Sequence, residues 1–210
     1  MKGFGNLLEG YRRFRAKQHG SAQERWQELA EGQSPRALIV ACSDSRADPA
    51  IIFDTDPGEI FVVRNIANLV PPFEQGGGRH GVSAALEFAV TQLNVPEIVI
   101  MGHESCGGIY AALTGCFHDA PVGEGGFVSS WMSQIEEPAQ TIAEEHGTGE
   151  DGQRVLEEVA IRQSLANLRT FPFVASREKN GTLKLVGCHF SIQAGELWLL
   201  DEAEDVFRPV

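Results

Sequence analysis

The sequence predicts an α/β fold with a mainly parallel central sheet flanked by helices. Three short apolar runs, at 37–41, 60–63 and 98–101, are continuous rather than alternating, as is typical of strands covered on both faces of a parallel sheet. Helical patterns separate them, a short one at 49–53 and a long one at 81–93. This alternation of strands and helices favours an open α/β sheet.

Residues 1–34, ahead of the first strand, are expected to form a helical arm that packs on a partner subunit. A second helix of this arm is expected from Ser21, which forms a capping box with Glu24. The first helix is predicted over 4–17 because apolar side chains recur there at spacings of three and four: Phe4, Leu7, Leu8, Tyr11 and Phe14. Their apolar faces have no obvious place in the sheet, so we expect a homodimer or a higher even homo-oligomer.

The rest of the chain, 35–210, is expected to form a single α/β domain that carries the chemistry. Two further helical segments are predicted between 127 and 169. Strands follow at 183–190 and 197–200, joined by a turn around Ala194–Gly195. Such a hairpin would close the sheet with a C-terminal antiparallel edge strand.

Charge and hydropathy exclude several classes of partner. The formal net charge is −12, and both duplex nucleic acid and an anionic membrane require a basic surface. No stretch approaches the about 18 consecutive apolar residues of a membrane span, and the first residues lack the apolar core of a secretory signal. We therefore expect a cytoplasmic protein with a small-molecule substrate, no nucleic acid partner and no membrane association.

Two thiols and one imidazole follow the ends of neighbouring predicted strands. Cys42 ends the run at 37–41, and His103 and Cys106 follow the run at 98–101. Ligands bind where the carboxyl ends of parallel strands meet, so the three side chains are expected to converge there. Two thiolates and an imidazole suit zinc, and three protein ligands leave a fourth position open for water or substrate.

A carboxylate and a guanidinium accompany the first of these ligands. Asp44 and Arg46 lie two and four residues beyond Cys42, on a turn that faces the same pocket. An aspartate beside an arginine stays ionised because the opposite charge lowers its pKa. Asp44 could then accept a hydrogen bond at the metal or ligate the metal itself.

Three segments resemble the signature of the β-class carbonic anhydrases. They are Cys-Ser-Asp-Ser-Arg at 42–46, Arg-Asn-Ile-Ala-Asn at 64–68, and Gly-His-x-x-Cys-Gly-Gly at 102–108. The stretch 62–73 is similar to the plant-type branch, which has an open zinc site. Relatives with a bicarbonate-switched site tend to carry Trp and Gly where this chain has Ile39 and Ala41, so that subclass is not expected.

The resemblance implies roles for individual residues. One Zn²⁺ per chain would be held by Cys42, His103 and Cys106, with Asp44 and Arg46 as a hydrogen-bonded catalytic pair. Gln33 would donate a hydrogen bond to bound bicarbonate. The other substrate-binding residues, some of them contributed by a partner chain, would be Phe61, Ile66, Phe88 and Gly107.

The expected function is the reversible hydration of carbon dioxide to bicarbonate and a proton by attack of zinc-bound hydroxide. Two alternatives remain open from the residues alone. One is a related hydrolase of carbon disulfide or carbonyl sulfide. The other is a non-catalytic zinc or thiol module, in which Asp44 completes a closed site or Cys42 and Cys106 form a redox pair.

Overall fold

A computed structural model describes residues 3–16, 23–76 and 80–210 of the chain. The chain divides into two compact units, Met1–Ser34 and Pro35–Val210. Among the described residues, no helix combines the length and hydropathy that crossing a membrane requires.

The first unit contains two helices, α1 (Phe4–Phe14) and α2 (Gln23–Glu31). The rings of Phe14 and Trp26 meet edge to face, with their centroids 5.4 Å apart. Neither helix has a buried residue, so the apolar stripe of α1 remains exposed. Ser21, the predicted helix cap, and Lys17, the end of the first predicted helix, lie outside the described residues.

The second unit is built on a six-stranded sheet in the order β2-β1-β3-β4-β5-β6. The first four strands in chain order pair in parallel, and β5 and β6 add antiparallel pairs at one edge. The predicted mainly parallel sheet with an antiparallel C-terminal edge is therefore confirmed. The strands are β1 (Ala37–Cys42), β2 (Ile60–Asn65), β3 (Glu97–His103), β4 (Lys184–Ser191), β5 (Glu196–Asp201) and β6 (Val206–Pro209).

Helices lie between the strands and after β3. They are α3 (Pro49–Ile52), α4 (Gly81–Glu87), α5 (Gly107–Thr114), α6 (Gly126–Met132), α7 (Glu136–His146), α8 (Glu150–Leu168) and α9 (Pro172–Lys179). The helix predicted over 81–93 ends as a regular α-helix at Glu87 and continues to Gln92 as a π-helical turn. Within that turn the Thr91 hydroxyl donates to the Glu87 carbonyl oxygen at 2.7 Å.

Strand β1 is buried on both faces, as its continuous apolar run predicts. Leu38 and Val40 contribute to one apolar cluster, and Ile39 and Ala41 contribute to another. All six residues of the strand are buried. Burying both faces fixes the strand within the sheet, and so fixes the position of Cys42 at its end.

Helix α8 packs closely over β3 and β4 because two strand positions lack a side chain. A Cβ at Gly102 would come within 2.8 Å of the Ile161 side chain, and a Cβ at Gly187 within 2.9 Å. Ile161 is fully buried. This close approach brings the first half of α8 towards the carboxyl end of β3, where His103 lies.

Candidate metal centre

The structure brings Cys42, His103 and Cys106 together at the carboxyl ends of β1 and β3. One potential ligand atom from each lies within 4.8 Å of the other two, and all three residues are buried. Within the described residues this is the group of three His, Cys, Asp or Glu side chains that could hold a metal ion. The predicted convergence of these residues is therefore present.

The spacing of the two sulfurs fits zinc. The Sγ atoms of Cys42 and Cys106 lie 3.8 Å apart, and both cysteines are free. With Zn–S bonds of ~2.3 Å and tetrahedral angles, two thiolates on one zinc ion are separated by ~3.8 Å. A disulfide would require ~2.05 Å. The sulfurs therefore stand at the spacing of a shared metal.

His103 is oriented to offer its second ring nitrogen to a metal. Its Nδ1 lies 2.9 Å from the Glu104 carbonyl oxygen, to which it can donate. Its buried Nε2 has no hydrogen-bond partner within the described part of the chain. A metal-ligating histidine typically donates its other N–H in this way, which fixes the tautomer and the ring orientation.

Glu104, whose carbonyl oxygen orients His103, is itself held by the β4–β5 hairpin. Its carboxylate accepts hydrogen bonds from the Ser191 hydroxyl at 3.0 Å and from the Gln193 backbone N–H at 2.8 Å. The Gln193 N–H is the largest cause of the lowered pKa of Glu104. The turn that carries His103 is thereby tied to the neighbouring strand.

The two thiols perturb each other's pKa in opposite directions. The hydrogen bond from Cys106 lowers the pKa of Cys42, and His103 and the backbone N–H groups of Asp44 and Ala67 lower it further. The same bond, together with burial, raises the pKa of Cys106. Burial alone would lower the pKa of His103, but Cys42 and the Glu104 carbonyl raise it. Cys42 is therefore the thiol of the pair that loses its proton more readily, and a cysteine must be deprotonated to bind a metal ion.

Asp44 and Arg46 form an ion pair beside the three potential ligands. The Asp44 carboxylate accepts from Arg46 Nε at 3.0 Å and from Nη2 at 2.7 Å. The same Nη2 donates to the Ser105 carbonyl oxygen at 3.1 Å, which joins the two ligand-bearing loops. Hydrogen bonding to Arg46 holds the pKa of Asp44 well below its usual range. Asp44 therefore stays ionised at any pH near neutrality.

Arg64 supports the loop that carries this pair. From β2 it donates to the carbonyl oxygens of Cys42 at 2.9 Å and Asp44 at 2.5 Å. It also binds the Asp48 carboxylate at 2.6 Å, and the other oxygen of Asp48 caps α3. One guanidinium thus holds the turn from Cys42 to Asp48 in shape.

Replacing Arg64 with Lys should lower the free energy of unfolding by about 2–3 kcal/mol, because several charge-assisted hydrogen bonds to this loop are lost. Urea denaturation followed by circular dichroism measures the change. The matched control is Arg36→Lys, since the Arg36 side chain is 71% exposed in its ion pair with Glu59, and such a pair contributes less than about 1 kcal/mol. Equal losses in the two variants would contradict a supporting role for Arg64.

A left-handed turn follows β2 next to Cys42. Ala67 and Asn68 both have positive φ, 62° and 49°. The side chain of Asn65 brackets the turn by bonding both the backbone N–H and the carbonyl oxygen of Leu69. The turn directs the Ala67 N–H towards the Cys42 sulfur, where it helps to lower the pKa.

The residues predicted to bind substrate are not all gathered at the metal centre. Ile66 packs against Gly108 and Gly107 follows Cys106, so both lie near the ligands. Phe61 and Phe88 instead pack on each other, with centroids 5.9 Å apart. Asn65 is the residue of β2 that pairs with Cys42. Phe61 lies four residues before Asn65, a distance of ~13 Å along the strand.

Gln33 belongs to the first unit, so its predicted contact with bicarbonate stays a prediction. The sequence did not predict a role at this site for four other residues that surround the potential ligands: Arg64, Gln153, Glu157 and His189. Arg64 stands inside a motif that the resemblance had already singled out. The other three are distant in sequence from every motif, and no local pattern marks them.

Comparisons with known proteins agree with this geometry. The family model described as carbonic anhydrase matches residues 37–197. A carbonic anhydrase of Pseudomonas aeruginosa is 36% identical over 204 residues, which cover 96% of this chain and 90% of that protein. These matches span almost the whole of the second unit.

Solved structures show the same similarity. The β-carbonic anhydrase CcaA superposes with a TM-score of 0.89 at 31% identity, covering 98% of this chain and 91% of that one. One of two tetrameric β-carbonic anhydrases from Sordaria macrospora gives a TM-score of 0.79 at 27% identity, covering 94% and 96%.

The alternatives left open by the sequence are not favoured. The matched proteins carry the name carbonic anhydrase rather than that of a carbon disulfide or carbonyl sulfide hydrolase. A closed four-ligand module would require Asp44 as the fourth ligand. Asp44 is instead paired with Arg46 and lies outside the group of potential ligands. The chain therefore belongs to the β-class carbonic anhydrases, enzymes that catalyse the zinc-dependent, reversible hydration of carbon dioxide to bicarbonate and a proton.

Proposed function

We propose that Cys42, His103 and Cys106 hold one zinc ion per chain and that carbon dioxide is hydrated at the fourth position, beside Asp44. The observation that carries this proposal is the buried, unpartnered Nε2 of His103 next to two sulfurs 3.8 Å apart. When bound, zinc acts as a Lewis acid that makes water nucleophilic near neutral pH. Zinc content, measured together with stopped-flow hydration of carbon dioxide, tests the proposal.

Asp44 is proposed to orient the reacting water. Its carboxylate is ionised and fixed, so it can accept a hydrogen bond from water and direct the remaining lone pair towards carbon. Arg46 holds that carboxylate through Nε and Nη2 and so keeps it from turning towards the metal. This pairing supports the open site of the plant-type branch, which we retain as a prediction.

The substrate contacts are proposed in two groups. Gly107 and Ile66, near the ligands, would contact carbon dioxide or bicarbonate directly. Phe61 and Phe88 would serve the apolar pocket from a partner chain, which agrees with the 46% exposure of Phe88. Gln33 would donate to bicarbonate. Carbon dioxide is neutral, so apolar walls are sufficient to hold it.

We further propose that the protein is a cytoplasmic homo-oligomer of even number, a homodimer or larger. The tetrameric enzymes from Sordaria macrospora support the assembly. So does the exposed stripe of α1, where Phe4 is 71% and Leu7 69% exposed, because such a patch marks an interaction surface. Four free cysteines are consistent with a reducing compartment.

A charge placed in the α1 stripe should weaken the assembly. Leu7→Glu should shift the mass in solution towards smaller species, because burying a carboxylate in an apolar interface is unfavourable. Light scattering after size exclusion measures the mass. Asn6→Glu adds the same charge on another face of α1 and should leave the mass unchanged. A wild-type mass for Leu7→Glu would exclude the arm from the interface.

A further inference from the structure

We propose that Glu157 is a positioning residue for the metal ligand Cys106, assisted by Gln153 and anchored by His189. This inference rests on the zinc centre proposed above and extends it to the groups behind one ligand. These three residues lie 47 to 83 positions beyond Cys106 in the sequence, on α8 and β4.

Both polar groups of the Cys106 backbone are bound by α8. Its N–H donates to Glu157 Oε1 at 2.9 Å, and its carbonyl oxygen accepts from Gln153 Nε2 at 3.1 Å. Gln153 Nε2 also lies 3.2 Å from Glu157 Oε1, which ties the two side chains together. Cys106 is the N-cap of α5. These hydrogen bonds, which we call the Cys106 clamp, therefore set where the helix starts and where the sulfur lies.

Glu157 is fixed from its other side as well. Its Oε2 lies 2.9 Å from His189 Nε2, and the two side chains are only 2% and 10% exposed. A carboxylate removed from water needs several donors to be tolerated. Here the donors are the Cys106 N–H, the Gln153 amide and the His189 ring. His189 pairs with Gly102, next to His103, in the β3–β4 register.

The helix that carries the clamp cannot easily shift. Gln153, Glu157 and Ile161 are spaced by four residues and therefore share one face of α8. Ile161 is seated against Gly102 and Gly187, where an added Cβ would come within 3 Å. On this face of α8, Ile161 packs on the sheet, and Glu157 and Gln153, in the preceding turns, bind the Cys106 backbone.

The clamp gives Cys106 the kind of support that His103 receives from the Glu104 carbonyl oxygen. Groups behind a metal ligand fix its orientation, and removing one typically costs about 10- to 100-fold in metal affinity. We assign that function to Glu157, acting through the Cys106 backbone rather than through contact with substrate.

The test compares Glu157→Met with Glu157→Gln in the full-length protein. Met removes both acceptors, so zinc affinity measured by chelator competition should fall about 10- to 100-fold, and the thiolate-to-metal band of the Co²⁺-loaded protein should shift. Gln retains an acceptor for the Cys106 N–H and should restore most of the affinity. The control, Glu158→Met, removes the neighbouring carboxylate, which binds Arg154 and Arg162 instead, and should leave both readouts unchanged.

Wild-type zinc affinity and an unchanged Co²⁺ spectrum in Glu157→Met would overturn the inference. If that variant does not fold, Gln153→Met decides, because it removes the donor to the Cys106 carbonyl and to Glu157 but leaves the Glu157 acceptor for the Cys106 N–H in place. Weaker zinc binding then supports the clamp, and wild-type binding refutes it. Wild-type protein that binds no zinc would instead refute the proposed zinc centre, and this is measured before any variant is compared.

Discussion

Replacing Cys42 with Ser should abolish both zinc binding and carbon dioxide hydration. The substitution removes one of two thiolates from a three-ligand site, and a serine hydroxyl does not ionise near neutral pH to replace it. The loss of zinc affinity should exceed the about 10- to 100-fold loss that follows removal of a residue hydrogen-bonded to a ligand. Metal analysis of the purified protein and stopped-flow hydration measure the two effects on one preparation.

Cys116→Ser is the matched control for this experiment. Cys116 is an exposed free thiol outside the three-ligand group, so its replacement should leave zinc content and turnover unchanged. Cys188 is less suitable as a control. It is buried, so a serine hydroxyl in its place would lower the stability of the fold. Full zinc occupancy in Cys42→Ser would show that the metal is held elsewhere.

Replacing Asp44 with Asn should lower kcat about 100-fold or more while zinc stays bound. Asn is nearly isosteric, but it lacks the charge that holds Arg46 and accepts more weakly from water. Because Asp44 is not among the three residues that could hold a metal ion, metal content should remain at one equivalent. Stopped-flow hydration at saturating carbon dioxide, with metal analysis of the same sample, measures both quantities.

The control for Asp44 is Asp119→Asn, which removes a carboxylate whose side chain is 97% exposed beside His118. Its turnover and zinc content should match the wild type. Loss of zinc from Asp44→Asn would assign Asp44 a structural role. Unchanged turnover with full zinc would remove it from the mechanism.

The strands and the convergence of Cys42, His103 and Cys106 were predictable because their signals are local. The run 37–41 is apolar without alternation, which indicates a strand buried on both faces, and the structure has β1 there. Cys42, at its end, and His103, at the end of β3, then follow from the rule that neighbouring parallel strands end at one edge. Cys106, three residues after His103, needs only a tight turn to reach the same place.

Other features depend on contacts that no local pattern records. Glu157 reaches Cys106 across 51 positions, and its partner His189 lies a further 32 along the chain. From the sequence Glu157 is one of several acidic residues on a helix. Glu157 is buried because α8 packs against Gly102 and Gly187, a contact that the sequence around Glu157 does not indicate.

Two departures in secondary structure have similar causes. Strand β6 was missed because Val206–Pro209 is short and ends in a proline, and it exists only by pairing with β5. The regular helix predicted over 81–93 becomes a π-helical turn at Phe88–Gln92. There the Leu93 N–H donates to the Phe88 carbonyl oxygen five residues back, at 3.1 Å, a change of backbone pairing that apolar periodicity does not reveal.

The burial of β1 and the Arg64-supported loop have a consequence for how the enzyme depends on its metal supply. Cys42 and His103 end two strands that are held in the sheet by apolar clusters and by strand pairing. In zinc fingers, by contrast, metal binding and folding are one event. Here loss of zinc should leave a folded protein with its ligands nearly in place. Zinc scarcity would then create a dormant reserve of enzyme that regains activity as soon as the ion returns, without new synthesis or refolding.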